Sequence, residues 1–444
     1  MDNDKKKSIA IIGGGLAGIS TAYQLSLKGY EDITIFETKD KLSGLVLTHK
    51  TSDNIEIENF YHHIFATDKF ILGMIKKFSL DNKLFFKKVI TSHLIENKIY
   101  TLGSLKSLFL TNLFKPFSKI RFVLAVALIK YSPLPGFFSK NQSAVNFSKR
   151  FFGKSIHKSI WLPLLKKKFS SSYNLVSSSW LISRIRCRSI QLGYLEGSFT
   201  ILINKFIEIL NKSGVKIRFN CEVKSVSILE DKKINLLTSK KEFMKDIVIF
   251  CCPQNIASKI IDKKNKNLAV DFFEYLSATC VIIYLDKKPF KDYWINYCDD
   301  DNKALALINH SVFLNQSNIK SFPVYVAYYH NKKDPLFFEE NREKLIQDGI
   351  RTLEKVCLLR GNKVPNYNKE KIRIFTANNA QPIIRPCTSN IENTEYHEQC
   401  VHPNKNLPIF FSNMHCVYPE DRGQNFSIKY SILTSEMVDQ YLKN

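Results

Sequence analysis

Six residues near the start of the chain, Gly13-Gly14-Gly15-Leu16-Ala17-Gly18, restrict what can be built around them. A short apolar run, Ser8-Ile9-Ala10-Ile11-Ile12, precedes them and reads as a buried strand. A helical pattern follows from Ile19 to Lys28 and stops at Gly29. A second apolar run, Asp32-Ile33-Thr34-Ile35-Phe36, ends at Glu37. This is a G-x-G-x-x-G turn in register inside a βαβ unit of about 30 residues. In such a unit Gly13 permits the tight turn, Gly15 lets the backbone approach a pyrophosphate, and Gly18 allows the helix to pack close to the strand. The helix N-terminus supplies N–H groups without a partner in the helix, and a partial positive charge, for the phosphates. Glu37 lies where a carboxylate can accept hydrogen bonds from a ribose diol, with Thr38 beside it. The pattern predicts a dinucleotide site. A tight β–α turn without a ligand is the alternative.

The residues after Glu37 narrow the choice of dinucleotide. Leu42-Ser43-Gly44-Leu45 stands where FAD-containing flavoproteins carry an E-x-x-x-x-x-G-G pattern, with Ser43 replacing the first glycine. The chain has no second G-x-G-x-x-G, so no separate nicotinamide domain is expected.

Composition bounds the rest. The 444 residues can bury more than one core, and 44% hydrophobic with 24% charged residues is ordinary for a globular protein. Lys5-Lys6-Lys7 are followed by only five residues before the glycines, which argues against a secretory leader. The longest apolar run, starting at Phe122 and ending at Ile129, is far short of a membrane span. Ten scattered cysteines without a C-x-x-C read as reduced thiols of a cytoplasmic protein. The net charge of +24 is uneven. Between Glu96 and Glu196 there is no acid, but there are seventeen Lys and Arg and ten interleaved Phe. Three explanations stand: a Lys-rich compositional bias, a nucleic-acid surface without any recognised motif, and a surface that meets anionic lipid or a phosphate-bearing substrate. The last predicts Lys115, Lys119, Arg121 and Lys166-Lys167-Lys168 at a surface, beside Phe114, Phe117 and Phe169. On this reading the protein is cytoplasmic, at the inner membrane surface if lipid is what it meets.

The periodicities predict an α/β fold: a discontinuous Rossmann-type FAD-binding domain with an inserted mixed helical and β-sheet substrate domain. The first domain comprises residues 1–70, 191–269 and 396–444. The middle piece reads as a helix with Phe199, Leu202, Ile203, Phe206, Ile207 and Leu210 at helical spacing, then strands and a hairpin at Asp231-Lys232-Lys233. The last piece is a strand at Pro408-Ile409-Phe410-Phe411, a loop and a closing amphipathic helix. The second domain comprises 71–190, basic and mainly helical, and the strand-rich 270–395.

This layout and its motifs resemble the flavin amine oxidase and protoporphyrinogen oxidase superfamily. The resemblance implies that Gly13, Gly15, Leu16, Ala17, Gly18, Glu37, Thr38, Gly44 and Leu45 hold the nucleotide part of a non-covalent FAD. It implies that the backbone of Val223 meets the adenine. It sets Asp421-Arg422-Gly423-Gln424-Asn425 at the last flavin-binding loop, where helix N-terminal donors and Arg422 stabilise negative charge on the flavin. An ordinary charged turn capping a surface helix is the alternative for that loop. A second segment, Asn59-Phe60-Tyr61-His62-His63-Ile64-Phe65, resembles the G-x-H-I-F segment of UDP-galactopyranose mutases, whose histidine at the place of His63 lies over the flavin. Arginines grip a nucleotide diphosphate there, and Arg385 and Arg422 are the candidates in this chain. The alternative for the His pair is a structural role. A metal site is not expected, because adjacent His side chains diverge. The catalytic candidates are therefore His63, Arg385 and Arg422. The activity implied is FAD-dependent hydride removal from an organic small-molecule substrate, phosphate-bearing or lipid-linked if the basic stretch touches it. The alternatives are a sugar-nucleotide mutase and a non-catalytic FAD protein at a membrane surface. The sequence does not specify the oligomeric state.

Overall fold

The computed structural model describes residues 4–132, 142–262, 264–265, 274–314, 317, 319–386 and 393–443. Five short apolar strands form one parallel sheet in the order Lys216–Arg218, Ile33–Phe36, Ile9–Ile12, Ile247–Phe250 and Ile409–Phe411. Three distant parts of the sequence thus meet in a single sheet. Every residue of the four inner and C-terminal strands, from Ile9–Ile12 to Ile409–Phe411, is buried, as expected where both faces of a parallel sheet are covered. Helix Leu16–Leu27 lies on this sheet, and the closing helix Gln424–Lys443 packs against it, with Ser20 Oγ and Ser431 Oγ 2.6 Å apart. The antiparallel hairpin around Asp231-Lys232-Lys233 forms as expected, from Val223–Ile228, Ile234–Thr238 and Glu242–Lys245. Its Phe243 meets Phe36 edge-on at 5.0 Å.

A second sheet has seven strands, ordered Arg373–Pro382, Tyr275–Leu285, Phe322–His330, Ala306–Asn309, Trp294–Tyr297, Thr91–Ile95 and Lys98–Thr101. Its strands alternate between two cores. Val281, Ile283, Val324, Val326 and Tyr328 pack under helix Arg342–Leu359. Cys280, Ile282, Tyr325, Ala327 and Tyr329 face the core of the first sheet. Among the described residues of 71–190, helices from Leu105–Leu110 to Ser178–Cys187 pack around Phe147, Phe152, Ile156 and Phe169.

Two readings gain detail and one needs correcting. The segment 71–190 also contributes strands. Thr91–Ile95 pairs in parallel with Trp294–Tyr297, and Leu84–Lys88 pairs with Gln191–Leu195. Neither run alternates apolar with polar residues, so neither carries the period-two signal of a strand. Helix Arg342–Leu359 interrupts a region read as strand-rich. Finally, much of the anticipated basic surface is internal. Lys119 is buried and donates to the carbonyls of Phe109 and Thr111, at 2.8 and 2.6 Å. Lys167, Phe114 and Phe169 are buried as well. Among the described residues, no helix is long and apolar enough to cross a membrane.

Candidate active site

The glycine turn separates into positions that the fold needs and one that it does not. Gly13 has φ +107°, and a Cβ there would lie 3.2 Å from the Cys251 carbonyl carbon. A Cβ on Gly18 would lie 1.9 Å from the Gly13 carbonyl oxygen. A Cβ on Gly14 would strike Leu42 Cδ2 at 2.3 Å, and its N–H donates to Glu37 Oε2 at 2.7 Å. Gly15 differs. The nearest atom to a Cβ there is Gly44 Cα, at an ordinary contact distance of 3.7 Å. Protein packing therefore leaves room at Gly15, between the turn and the Ser43-Gly44 loop. Helix Leu16–Leu27 begins at this point with no side-chain cap on its N–H groups. Gly44 has φ +60°, and Ser43 has φ +142° at the place where the pattern expects glycine. Glu37 is held from three sides, also accepting from Lys39 N at 2.9 Å and Thr38 Oγ1 at 3.1 Å.

Gly15 opens into a cavity of about 1350 Å³. This exceeds the 300–1,000 Å³ or so of an ordinary small-molecule pocket. Of the anticipated nucleotide and flavin contacts, Gly13, Gly15, Leu16, Ala17, Glu37, Thr38, Gly44, Leu45, Val223, Gly423, Gln424 and Asn425 all line it, as do His63 and Arg422. Two anticipated residues do not. Gly18 serves the packing just described. Arg385 is exposed, beyond the end of strand Arg373–Pro382. Gln381, on that strand, meets Arg422 instead, accepting from its Nε at 2.9 Å.

The last loop supplies a fit for a ligand. The Gln424 side-chain nitrogen is buried and has no hydrogen-bond partner among the described residues. An orphaned buried donor costs about 1–3 kcal/mol, and it sits at the start of the closing helix where a ligand acceptor would satisfy it. Asn425 is engaged differently. Its Oδ1 accepts from the backbone N–H of Phe70 at 2.8 Å, at the start of helix Lys69–Lys77. Open space at Gly15 and an orphan donor at Gln424, on one cavity, match an elongated dinucleotide with polar acceptors.

The other end of the cavity is built from side chains. His63 Nδ1 is 3.1 Å from the Tyr293 hydroxyl, and Phe65, Tyr293 and Trp294 surround the ring. Burial, then Arg184 nearby, pulls its pKa down to about 3. Burial pulls His62 down to about 4, although its Nδ1 lies 2.7 Å from the Phe60 carbonyl. Both rings are neutral at neutral pH. The Tyr329 hydroxyl accepts from Arg422 and lies 3.4 Å from that of Tyr61, while Lys168 sits 4.2 Å from its ring centroid. Burial opposes ionisation of Tyr329, but Arg422 and Lys168 outweigh it and hold the phenol at about 8. Arg184 pairs with Asp421 at 3.3 Å. Arg188 has no ion pair or side-chain hydrogen bond among the described residues. It lines the cavity while remaining solvent-accessible, and the protein enclosing it, followed by Arg184, lowers its pKa to about 10. Lys130 lines the same wall, donating to the Arg188 carbonyl at 2.7 Å. This end is cationic.

A family profile described as flavin containing amine oxidoreductase matches residues 16–366, well over half of the chain. The chain belongs to that family. Zeta-carotene desaturase of Arabidopsis thaliana is 31% identical over 136 residues, 28% of this chain. That match spans about a quarter of the desaturase's length (24%). Two solved structures cover nearly the whole chain. A protein of Exiguobacterium sp. 255-15, described as a protoporphyrinogen oxidase, superposes with a TM-score of 0.73 at 17% identity, covering 99% of both chains. A reduced UDP-galactopyranose mutase superposes with a TM-score of 0.72 at 15% identity, covering 98% of this chain and 96% of the other. At such identities the likeness is one of fold.

Within this family framework, the residues that sequence reasoning missed are Lys168, Arg184, Arg188, Tyr293 and Tyr329. A signal for four of the cavity's cations was present. Lys130, Lys168, Arg184 and Arg188 all come from the stretch without acids, and an unopposed cation is available to a ligand whether it points outward or inward. Nothing in the sequence said which way each would point.

Proposed function

We propose that the chain binds one FAD non-covalently and oxidises an organic substrate that carries an anionic group. On this reading residues 1–70, 191–269 and 396–444 form the Rossmann-type FAD-binding domain, and 71–190 with 270–395 form the substrate domain. The observation that carries it is the room left at Gly15, on a cavity that also holds the orphan Gln424 donor and a cationic far end. FAD in this cavity would supply the acceptor for a hydride from a substrate carbon. The chain's own residues bind, orient and shield. The N–H groups of Leu16 and Ala17 face phosphate, and Glu37 faces a ribose. Arg188 and Arg184 hold the substrate's anionic group, while Phe122 and Val126 keep water from the wall beside them. His63 is neutral, so it offers a lone pair or an N–H, and Tyr293 fixes its orientation. The cysteines at the turn support non-covalent attachment, since burial pushes the Cys252 thiol up to about 12 and leaves it un-ionised.

The paired arginines also favour a second reading, in which a nucleotide diphosphate is the anionic group and the reaction is a redox-neutral sugar mutation. One experiment separates the two. The purified protein is mixed anaerobically with candidate carboxylates, phosphates and sugar nucleotides while its visible spectrum is recorded. Oxidation bleaches the flavin at 1:1 stoichiometry, and air restores it. Turnover of a sugar nucleotide only after chemical reduction, with no net electron uptake, would replace the first reading by the second.

A further inference from the structure

The surface of the helical region is uneven in a way that the cavity does not explain. Among the described residues twenty large hydrophobic side chains are exposed, and eight of them lie between Leu105 and Tyr131. On helix Pro116–Tyr131 they are Phe117, Ile120, Leu124, Leu128 and Tyr131. Their spacing of three and four residues puts them on one stripe. Phe117 and Tyr131 are 75% and 78% exposed. On the preceding helix Leu105–Leu110, Leu105 and Leu110 are 62% and 71% exposed. The opposite side of the longer helix is accounted for. Ala125 and Ile129 are buried, and Phe122, Val126 and Lys130 line the cavity. A contiguous apolar stripe of this length on a soluble face calls for a covering surface.

Charge selects the cover. Lys106, Lys115 and Arg121 are exposed on these same two helices or at their ends. No acidic residue occurs anywhere between Glu96 and Glu196 to balance them. A second copy of the same face would oppose cation to cation. An anionic bilayer accepts both features, apolar side chains below the headgroups and lysines among the phosphates. We propose that helices Leu105–Leu110 and Pro116–Tyr131 dock on the interface of an anionic lipid bilayer, lying in its plane. The helix that docks also forms part of the cavity wall, through Phe122, Val126 and Lys130. The docking does not depend on which cofactor or reaction the cavity serves.

The test uses the full chain with vesicles of phosphatidylcholine alone, and of phosphatidylcholine mixed with phosphatidylglycerol, at low and high salt. Co-sedimentation should be strong only with the mixed vesicles, and salt should weaken it. Phe117→Glu with Leu124→Glu should lower the affinity by about a hundredfold or more, because two large apolar side chains no longer leave water. Lys106→Glu with Lys115→Glu should lower it by at least about fivefold per lysine removed, at low salt. Leu237→Glu with Leu358→Glu, on exposed apolar residues elsewhere, should change nothing. Circular dichroism verifies folding, and these sites are all at the surface. The proposal is overturned if the unaltered protein does not pellet, if both vesicle types pellet it equally, or if the Phe117 and Leu124 changes leave pelleting intact. It is also overturned if light scattering shows a dimer that those changes dissociate while vesicles bind nothing, since a second copy would then be the cover.

Discussion

The two ends of the cavity are built on different principles. The end at Gly13, Gly15 and Gly44 is made of backbone, and its side chains are chosen for being absent or small. The end at His63, Tyr329, Lys168, Arg184 and Arg188 is made of side chains from four remote segments. A backbone site recognises what all nucleotides share, so its requirements are local and periodic. A side-chain site recognises one substrate, so its members can come from anywhere that the fold brings together. The first end should respond to added bulk, in folding at Gly18 and in cofactor binding at Gly15. The second should respond residue by residue, in kinetics rather than in folding.

The largest effect should come from within the turn. Gly18→Ala places a Cβ 1.9 Å from the Gly13 carbonyl oxygen, and relieving that overlap should cost roughly 3 kcal/mol of stability, measured by chemical denaturation. Stability within about 0.5 kcal/mol of the parent would break the claim that packing alone fixes this glycine. At the other end His63→Ala should leave folding and cofactor binding intact but lower kcat by about 10²-fold, the scale of a lost positioned group. Unchanged turnover would make the ring a structural element resting on Tyr293. Arg188→Ala should raise KM for an anionic substrate by about 10- to 100-fold with little change in kcat, as for a lost charged hydrogen bond. The change for an uncharged analogue should be negligible. The mildest effect concerns pH. Tyr329 titrates at about 8. Below that pH the neutral phenol leaves the Arg422 charge uncancelled. Above it the phenolate neutralises that charge and weakens anion binding, so kcat/KM should fall as pH rises through about 8. Tyr329→Phe should remove this inflection, and a profile that keeps it would assign the titration elsewhere.

The same contrast explains what the sequence disclosed. The glycine spacing, Glu37 and the flanking apolar runs are local, and the structure assembles them as read. The parallel sheet was legible because Ile247-Val248-Ile249-Phe250 and Ile409-Phe410-Phe411 are continuous apolar runs, which only a doubly covered strand requires. Helix Arg342–Leu359 was passed over in a region read as strand-rich, although Leu345, Ile346, Ile350, Leu353 and Val356 recur at helical spacing and pack under the sheet. In the basic stretch the composition was informative but the direction was not. Lys119 turned inward onto carbonyl oxygens, Lys168 onto the Tyr329 ring, and Lys115 outward. A lysine stem can bury or extend at little cost, so its sequence position does not fix where its charge ends up. Arg385 and Arg422 differ for a related reason. Both follow strands, but only Arg422 lies where the closing helix begins, facing Gln381 and Tyr329.

The central claim is that the space at Gly15 is reserved for the pyrophosphate of an FAD, and one pair of samples tests it. The unaltered chain and Gly15→Val are purified in parallel, their unfolding is followed, and any flavin released on denaturation is identified and counted. The account predicts one FAD per unaltered chain, freed intact without a covalent link. It predicts that Gly15→Val folds, since nothing but Gly44 Cα lies within 4 Å of its Cβ, and carries no flavin. A Gly15→Val protein that stays yellow with a full complement of FAD, or an unaltered chain that cannot be loaded with FAD at all, would contradict it.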